Sequence, residues 1–319
     1  MRVRLVPLAL VAAFVCGAGT GPTPGLAQDA KVPKLVFASA GFDESNRFWM
    51  VSRPDHLQYD PFLETLLEVD PKSGEYTPRL AEKWSASPDY KEWTFTLRKG
   101  VQFHFGYGPL TARDVVHSHS LMVKPESTAT LAGFWRQVDK VEAVNDHQVV
   151  FRFKRPTTVM PYAASRAGDL RIVSRAQWDK EGLEGFEKRP AGTGSYRYLG
   201  RQPGLSISFE RVDNHWKDKP AYKELVFRLA REDATRLAML LSGEAHIADL
   251  PRELQKDAIK KGMKIFSSSF PVDWMTVYLG GMYFLPGDPA FKPDVAWTKK
   301  GVRQALNMAI NRKELNQSV

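Results

Sequence analysis

The stretch Ala191–Trp216, AGTGSYRYLGRQPGLSISFERVDNHW, sets Gly192 and Gly194 around Thr193, adds Ser195, and leaves through His215 and Trp216. Three readings compete for its glycines: a phosphate cradle, a turn that presents a nucleophile, or the start of a β-hairpin. A phosphate loop needs a further glycine, a lysine and an immediate helix, so that backbone N–H groups converge on the anion. Here YRYLG and LSISFER follow instead, flanking the turn Gln202-Pro203-Gly204, and both have the look of strands. No G-x-S-x-G elbow occurs, and no serine has a lysine three residues on, so the common serine-acylation signatures are missing. The stretch reads as a hairpin and Ser195 as scaffold.

Outward from it, the chain is ordinary globular material: 319 residues, 43% hydrophobic and 25% charged, enough for one large domain or two smaller ones. Its first residues differ. Arg2 and Arg4 precede the apolar run LVPLALVAAFVC, and small residues and prolines lead on to GLAQD, the layout of a secretory signal peptide over residues 1–27 with cleavage after Ala27. The run is too short for a permanent span, which needs about 20 residues. Cys16, the single cysteine, leaves open a lipoprotein reading in which its thiol is acylated, although Val15 stands where a small residue is wanted. If cleavage follows Ala27, the mature protein holds no disulfide and no thiolate. The net charge of +9 is dispersed among 36 acidic residues, and no basic run interleaved with aromatics marks a nucleic-acid groove.

Local patterns give the element order. KLVFASAGF is a strand ending in a turn at Gly41. YDPFLETLLEVD places Phe62, Leu63, Leu66 and Leu67 on one helical face, with Asp60 as cap and Pro61 at the first helical position. EWTFTLR alternates as a half-buried strand, and TARDVVHSHSLM opens a helix with a capping-box spacing, Thr111 to Asp114. VEAVNDHQVVFRF is a second hairpin, turning at Asn145-Asp146. The strand ELVFRLA, the helices DATRLAMLLSG and PRELQKDAIKKG, the strands MKIFSSS and WMTVYLG and a last helix, GVRQALNMAI, complete a mixed α/β fold.

Catalytic chemistry finds no support. The seven histidines offer no H-E-x-x-H, and His117 and His119, two apart on a predicted helix, point about 200° apart and cannot share a metal. Acid pairs such as Glu232-Asp233 and Asp43-Glu44 are adjacent in sequence, which does not make a catalytic pair. No metal, cofactor or enzymatic activity is expected.

The order of these segments resembles the family 5 extracellular solute-binding proteins, the peptide receptors of bacterial ABC importers. YDPFLETLLEVDPKSGEYTPRLAEKWSASPDYKEWTFTLRKGVQFH is similar to the family's N-terminal signature, and PLTARDVVHS and VEAVNDHQVVFRFKRP to the helix and hairpin after it. GTGSYRYLGRQPGLSISFERVDNHW, ELVFRLAREDATRLAMLLSGEAHIADLP and GVRQALNMAINRKEL continue the series, and FGYG after His104 departs from it in one loop. The resemblance implies a periplasmic-binding-protein type II-like fold: a first lobe over 28–266, a lobe-crossing hinge strand over 267–282, and the start of a second lobe over 283–319. It implies that most of the second lobe, with the charged groups that hold a peptide's termini, lies outside this chain.

It also implies an exported, periplasmic receptor, monomeric when complete, that closes two lobes over a peptide or peptide-like solute and docks on ABC permease subunits, with no nucleic-acid partner and no cofactor. A metal chelate, an opine or an oligosaccharide would serve as solute equally well, and a secreted hydrolase is the reading from another class. The positions that match the family's ligand cleft are Phe42 and Asp43 after the first strand, Trp135 after the DVVHS helix, Asp249 and Leu250 at the end of GEAHIADLP, and Trp274 on the strand leaving the first lobe. Phe42 and Asp43 would lend backbone hydrogen bonds by strand addition. Trp135 and Trp274 would offer apolar walls, with core packing as the alternative for each.

Overall fold

A computed structural model describes residues 34–50, 57–266 and 291–318. The chain opens with β1 (Lys34–Ser39) and then leaves that sheet to build a second body. A two-stranded ribbon, β2 (Leu67–Val69) with β3 (Tyr76–Pro78), leads to β4 (Ala81–Ala86) and β5 (Glu92–Leu97). After α1 (Ala112–Met122) and α2 (Ala132–Trp135) come β6 (Val138–Asn145) and β7 (Gln148–Phe153), which close an antiparallel sheet in the order β4-β5-β7-β6. α3 (Met160–Ala163) and α4 (Arg175–Lys188) lead the chain back to the first sheet, where it adds β8 (Tyr196–Gln202), β9 (Ser206–Arg211), β10 (Glu224–Leu229), α5 (Asp233–Ser242), β11 (Ile247–Ala248) and α6 (Arg252–Lys260). α7 (Lys300–Ala309) and α8 (Arg312–Ser318) end the described chain.

The first sheet runs β11-β1-β10-β9-β8. β1 is parallel to both of its neighbours, Phe37 pairing with Phe227 on one side and Ile247 on the other, whereas β8, β9 and β10 form an antiparallel meander. The architecture is therefore mixed α/β. The hairpins expected at Tyr196–Arg211 and Val141–Phe153 are present, the second starting three residues earlier at Val138, and in β5 the alternation is literal: Trp93, Phe95 and Leu97 are buried between half-buried neighbours. The Asp114 carboxylate accepts the Thr111 N–H at 2.8 Å and so caps α1.

One apolar core joins the two sheets. Phe62 stacks on Phe209 at 5.8 Å between ring centroids, and Phe95 meets Phe151 edge-on at 5.8 Å. Burying each such ring is worth about 1.5–3 kcal/mol.

The segment YDPFLETLLEVD is not the helix its spacing predicts. Residues 57–62 are turns, and the chain then runs without helix, bending at Leu66, into β2. Phe62, Leu63, Leu66 and Leu67 are buried all round rather than on one face, because the segment threads between the two sheets. A helix would spend its own carbonyls internally; here distant chains take them. Gly194 N donates to Phe62 O (3.1 Å), Ile172 N to Glu64 O (2.9 Å) and Ala81 N to Leu66 O (2.9 Å). Tertiary pairing has overridden the local period. MKIFSSS is also corrected in part, since Met263–Phe266 form no strand; the rest of it, WMTVYLG and the hinge strand over 267–282 lie outside the described residues.

The same threading explains the glycines of the Gly192-Thr-Gly194 turn. A Cβ on Gly192 would lie 1.7 Å from Phe62 O, and one on Gly194 2.3 Å from Pro61 O. Two backbones touch here, and only glycine allows it. The turn is the seam between the chain entering the second body and the chain leaving it.

Candidate functional site

β1, β10 and β11 are parallel, so their carboxyl ends leave the sheet at one edge, and in open α/β sheets that edge is where ligands bind. Phe42 and Asp43 follow β1, and Asp249 and Leu250 follow β11, so four of the predicted site residues stand just after the carboxyl ends of two neighbouring parallel strands. The strand ends are laced together: Ala230 N donates to Ser39 O (2.9 Å), Asp249 N to Ala38 O (3.3 Å) and Ala40 N to the Asp249 carboxylate (3.3 Å). Asp249 and Leu250 also line a pocket of about 390 Å³ between β11 and α6, whose walls include Ile247, Ile259 and Met263.

The loop after β1 is held rather than loose. From the far strand of the sheet, Arg201 donates to the carbonyl oxygens of Asp43 and Ser45, and its guanidinium lies 5.7 Å from the centre of the Phe42 ring. The Asp43 carboxylate accepts from Gln58 Nε2 at 3.1 Å. Glu187 takes up the next residues, accepting from Asn46 N (3.0 Å) and Arg47 Nε (2.7 Å). Tyr59 donates to Ser45 O (3.3 Å), and burial pushes its hydroxyl well above the usual tyrosine range, so it stays a neutral donor. On the β11 side Arg236, 2% exposed, donates to the carbonyl oxygens of Ala230, Arg231 and Asp249. Sequence reasoning missed Arg201 and Arg236, most of whose partners are main-chain oxygens that no side-chain motif announces.

Trp135 is a correction. It is wholly buried, its indole N–H donates to Asp169 Oδ1 at 2.7 Å, and its ring packs on Phe134, His119 and Phe151. Burial raises the Asp169 carboxyl, an effect its bonds from Trp135 and Leu131 oppose. Trp135 is a core residue holding a buried acid, with no face left for a cleft. Trp274 lies outside the described residues.

One polar cluster away from the mouth could hold a metal by composition: Glu64, His215 and Asp218 bring their ligand atoms within 4.8 Å of one another. Its cation is Arg79, 2.5 Å from both carboxylates. Both nitrogens of His215 are engaged as well. Nε2 faces Thr193 O (3.0 Å), which can only accept, and Nδ1 takes the N–H groups of Lys217 (3.3 Å) and Asp218 (2.8 Å), leaving no lone pair for a metal. Burial alone would raise Glu64, but the adjoining His215 ring and the Arg79 charge outweigh it and hold this carboxyl below its usual value. The cluster is a structural ion pair that ties the Gly192–Gly194 turn to Trp216, whose indole donates to Glu64 at 3.0 Å.

Residues 75–319 match the profile described as "Bacterial extracellular solute-binding proteins, family 5 Middle". The chain belongs to this family. Among curated relatives of the family-5 chain, the dipeptide-binding protein of Escherichia coli K12 is 29% identical over 321 residues, covering 92% of this chain and 57% of the relative. A probable di/tripeptide-binding protein 5 of Pseudomonas aeruginosa is 28% identical over 279 residues, covering 82% of this chain and 51% of the relative. The family-5 chain thus spans about half the length of the curated relatives it matches. The solved structure of MoaA from A. tumefaciens R10 in complex with mannopinic acid superposes with a TM-score of 0.63 at 26% identity, over 70% of this chain and 47% of that one.

Proposed function

We propose that this family-5 chain supplies one wall of a solute receptor serving an ABC importer, and that its solute is a peptide or peptide-like molecule captured at the mouth formed by β1 and β11. The observation that carries the reading is that Phe42 and Asp43, and Asp249 and Leu250, follow the carboxyl ends of two neighbouring parallel strands, with the β1 loop held by Arg201. A backbone fixed in this way offers N–H and C=O groups to an extended ligand, and reads its length more than its side chains. The names of the curated relatives support a di- or tripeptide.

Trp274, on the segment that leaves the first lobe, is proposed as the apolar wall that completes the mouth. Binding shifts the protein toward closure only if the solute touches both lobes, and moving the population from about 1:99 to 99:1 takes roughly 5.5 kcal/mol of differential affinity. Delivery to permease subunits and export to the periplasm belong to the same proposal, with residues 1–27 as the leader.

A second reading is favoured by one finding, the likeness to the mannopinic acid complex: a sugar–amino acid conjugate in place of a peptide. Native mass spectrometry of the protein as isolated, followed by calorimetry against a di- and tripeptide pool and against mannopinic acid, separates the two. Peptide uptake with no heat from mannopinic acid supports the first reading. The reverse replaces it with the second, and turnover of chromogenic amides or esters would overturn both.

A further inference from the structure

Arg236 sits in the first turn of α5 with only 2% of its side chain exposed, yet its carboxylate neighbours are surface groups: the Asp233 and Asp249 side chains are 53% and 49% exposed. A buried guanidinium facing half-solvated acids is a costly way to stabilise a core, since desolvation takes back much of what pairing returns. Nη2 donates to Asp233 Oδ1, and the other bonds go to main-chain oxygens. Nε donates to Asp249 O (2.7 Å), and Nη1 donates to Ala230 O (2.8 Å) and Arg231 O (2.8 Å).

Those carbonyls lie at the ends of two different strands, β10 and β11, and β1 runs between them in the sheet. One rigid fork therefore links the ends of the two strands that flank β1. Arg236 itself makes no bond to β1. The link passes through Asp249, whose N–H reaches Ala38 O (3.3 Å) and whose carboxylate reaches Ala40 N (3.3 Å) while its other oxygen lies 3.5 Å from Arg236.

We propose that Arg236 is the positioning residue of the mouth: by fixing the spacing of the β10 and β11 ends, it sets the backbone geometry that residues 38–41 present to a solute. A lysine could keep the charge but not the planar, three-carbonyl reach, so the fork and not the charge is the working part. The inference rests on reading this mouth as the solute surface, and its experiment has an arm that does not depend on that reading.

In the protein without added solute, amide hydrogen exchange followed by mass spectrometry is compared for the parent, Arg236→Lys, Arg236→Met and Asp249→Ala. Positioning through Asp249 predicts exchange in residues 36–41 about tenfold faster in Arg236→Met, intermediate in Arg236→Lys, and faster in Asp249→Ala with α5 unchanged. Acceleration confined to residues 230–242 would make Arg236 a local prop of α5 and overturn the proposal. If Arg236→Met fails to fold, Arg236→Lys and Asp249→Ala decide the same question.

In the second arm, calorimetry with a di- and tripeptide pool is expected to show Arg236→Lys binding about tenfold more weakly than the parent. Equal affinity would also overturn the proposal. A parent protein that takes up neither peptides nor mannopinic acid would remove the functional reading alone, and the exchange arm would still decide whether Arg236 sets the backbone of residues 38–41.

Discussion

Replacing Gly192 by alanine puts a methyl carbon 1.7 Å from Phe62 O and 2.7 Å from the carbonyl carbon behind it. Ordinary contact at that point needs a separation of about 3.2 Å or more, so one of the two chains must retreat by roughly 1.5 Å. Neither is free to do so. Gly192 O accepts the His104 N–H (2.8 Å), Gly194 N donates to Phe62 O (3.1 Å) and Tyr196 N donates to Pro61 O (3.0 Å), and a shift of that size lengthens all three beyond hydrogen-bonding range. At about 1 kcal/mol each, with buried carbonyls left bare, the loss comes to about 3 kcal/mol or more. Urea unfolding followed by tryptophan fluorescence measures it, because Trp49 and Trp178 lie in the core cluster or against it. Gly133→Ala is the matched control: no atom lies within 4 Å of the Cβ it would add, and it sits in α2, so its stability should stay within about 1 kcal/mol of the parent. If Gly192→Ala unfolded at the parent's urea midpoint, the backbone seam would be absent and the turn would have to be read afresh.

The remaining expectations concern the buried histidines, the core tryptophan and the clamp on the loop. Burial holds His104, His117 and His119 down to about 4 from an ordinary 6.5, so the unfolded chain takes up protons first; stability should be level above about pH 6.5 and fall steadily from there toward pH 4, by up to about 3 kcal/mol per histidine. A pH series of urea midpoints checks this, and His119→Gln should make the acid limb shallower; an unchanged slope would show that His119 does not contribute to it. Trp135→Phe strips the Asp169 carboxylate of its indole donor and should cost about 2 kcal/mol in thermal unfolding while leaving solute affinity alone; a loss of affinity with unchanged stability would return Trp135 to the cleft. Arg201→Met removes the donors to Asp43 O and Ser45 O and should weaken solute binding about tenfold, while the melting temperature falls by only a few degrees; binding equal to the parent's would show that the loop needs no such support.

What the sequence made legible was whatever depends on near neighbours. The hairpins at Val138–Phe153 and Tyr196–Arg211 announce themselves, because alternation and turn residues lie within one stretch of chain. α1 is legible for the same reason: its cap spans Thr111 to Asp114. The helix expected after Asp60 fails because its apolar spacing fits two outcomes, and the deciding partners, Gly194, Ile172 and Ala81, stand far along the chain. Phe42, Asp43, Asp249 and Leu250 were placed by family resemblance and follow the ends of β1 and β11, whereas Trp135 could not be told from a cleft residue until Asp169 appeared beside it. Arg201 and Arg236 were invisible because an arginine that binds main-chain oxygens leaves no pattern in its partners' side chains.

β1 is synthesised first among the described elements, yet its ladder partners are β10 and β11, with Lys34 opposite Glu224. At roughly 5–20 residues per second, tens of seconds of synthesis can separate the strand from its partners. The antiparallel body made of β4 to β7 has no such wait: β4 with β5 and β6 with β7 are pairs of neighbours in sequence, and they can close while the chain is still growing. The molecule therefore has two tempos. Its second body can set early, but the parallel edge of the first sheet cannot exist until the ends of the segment are joined, because the strand at its centre must stay unpaired until β10 and β11 arrive to flank it.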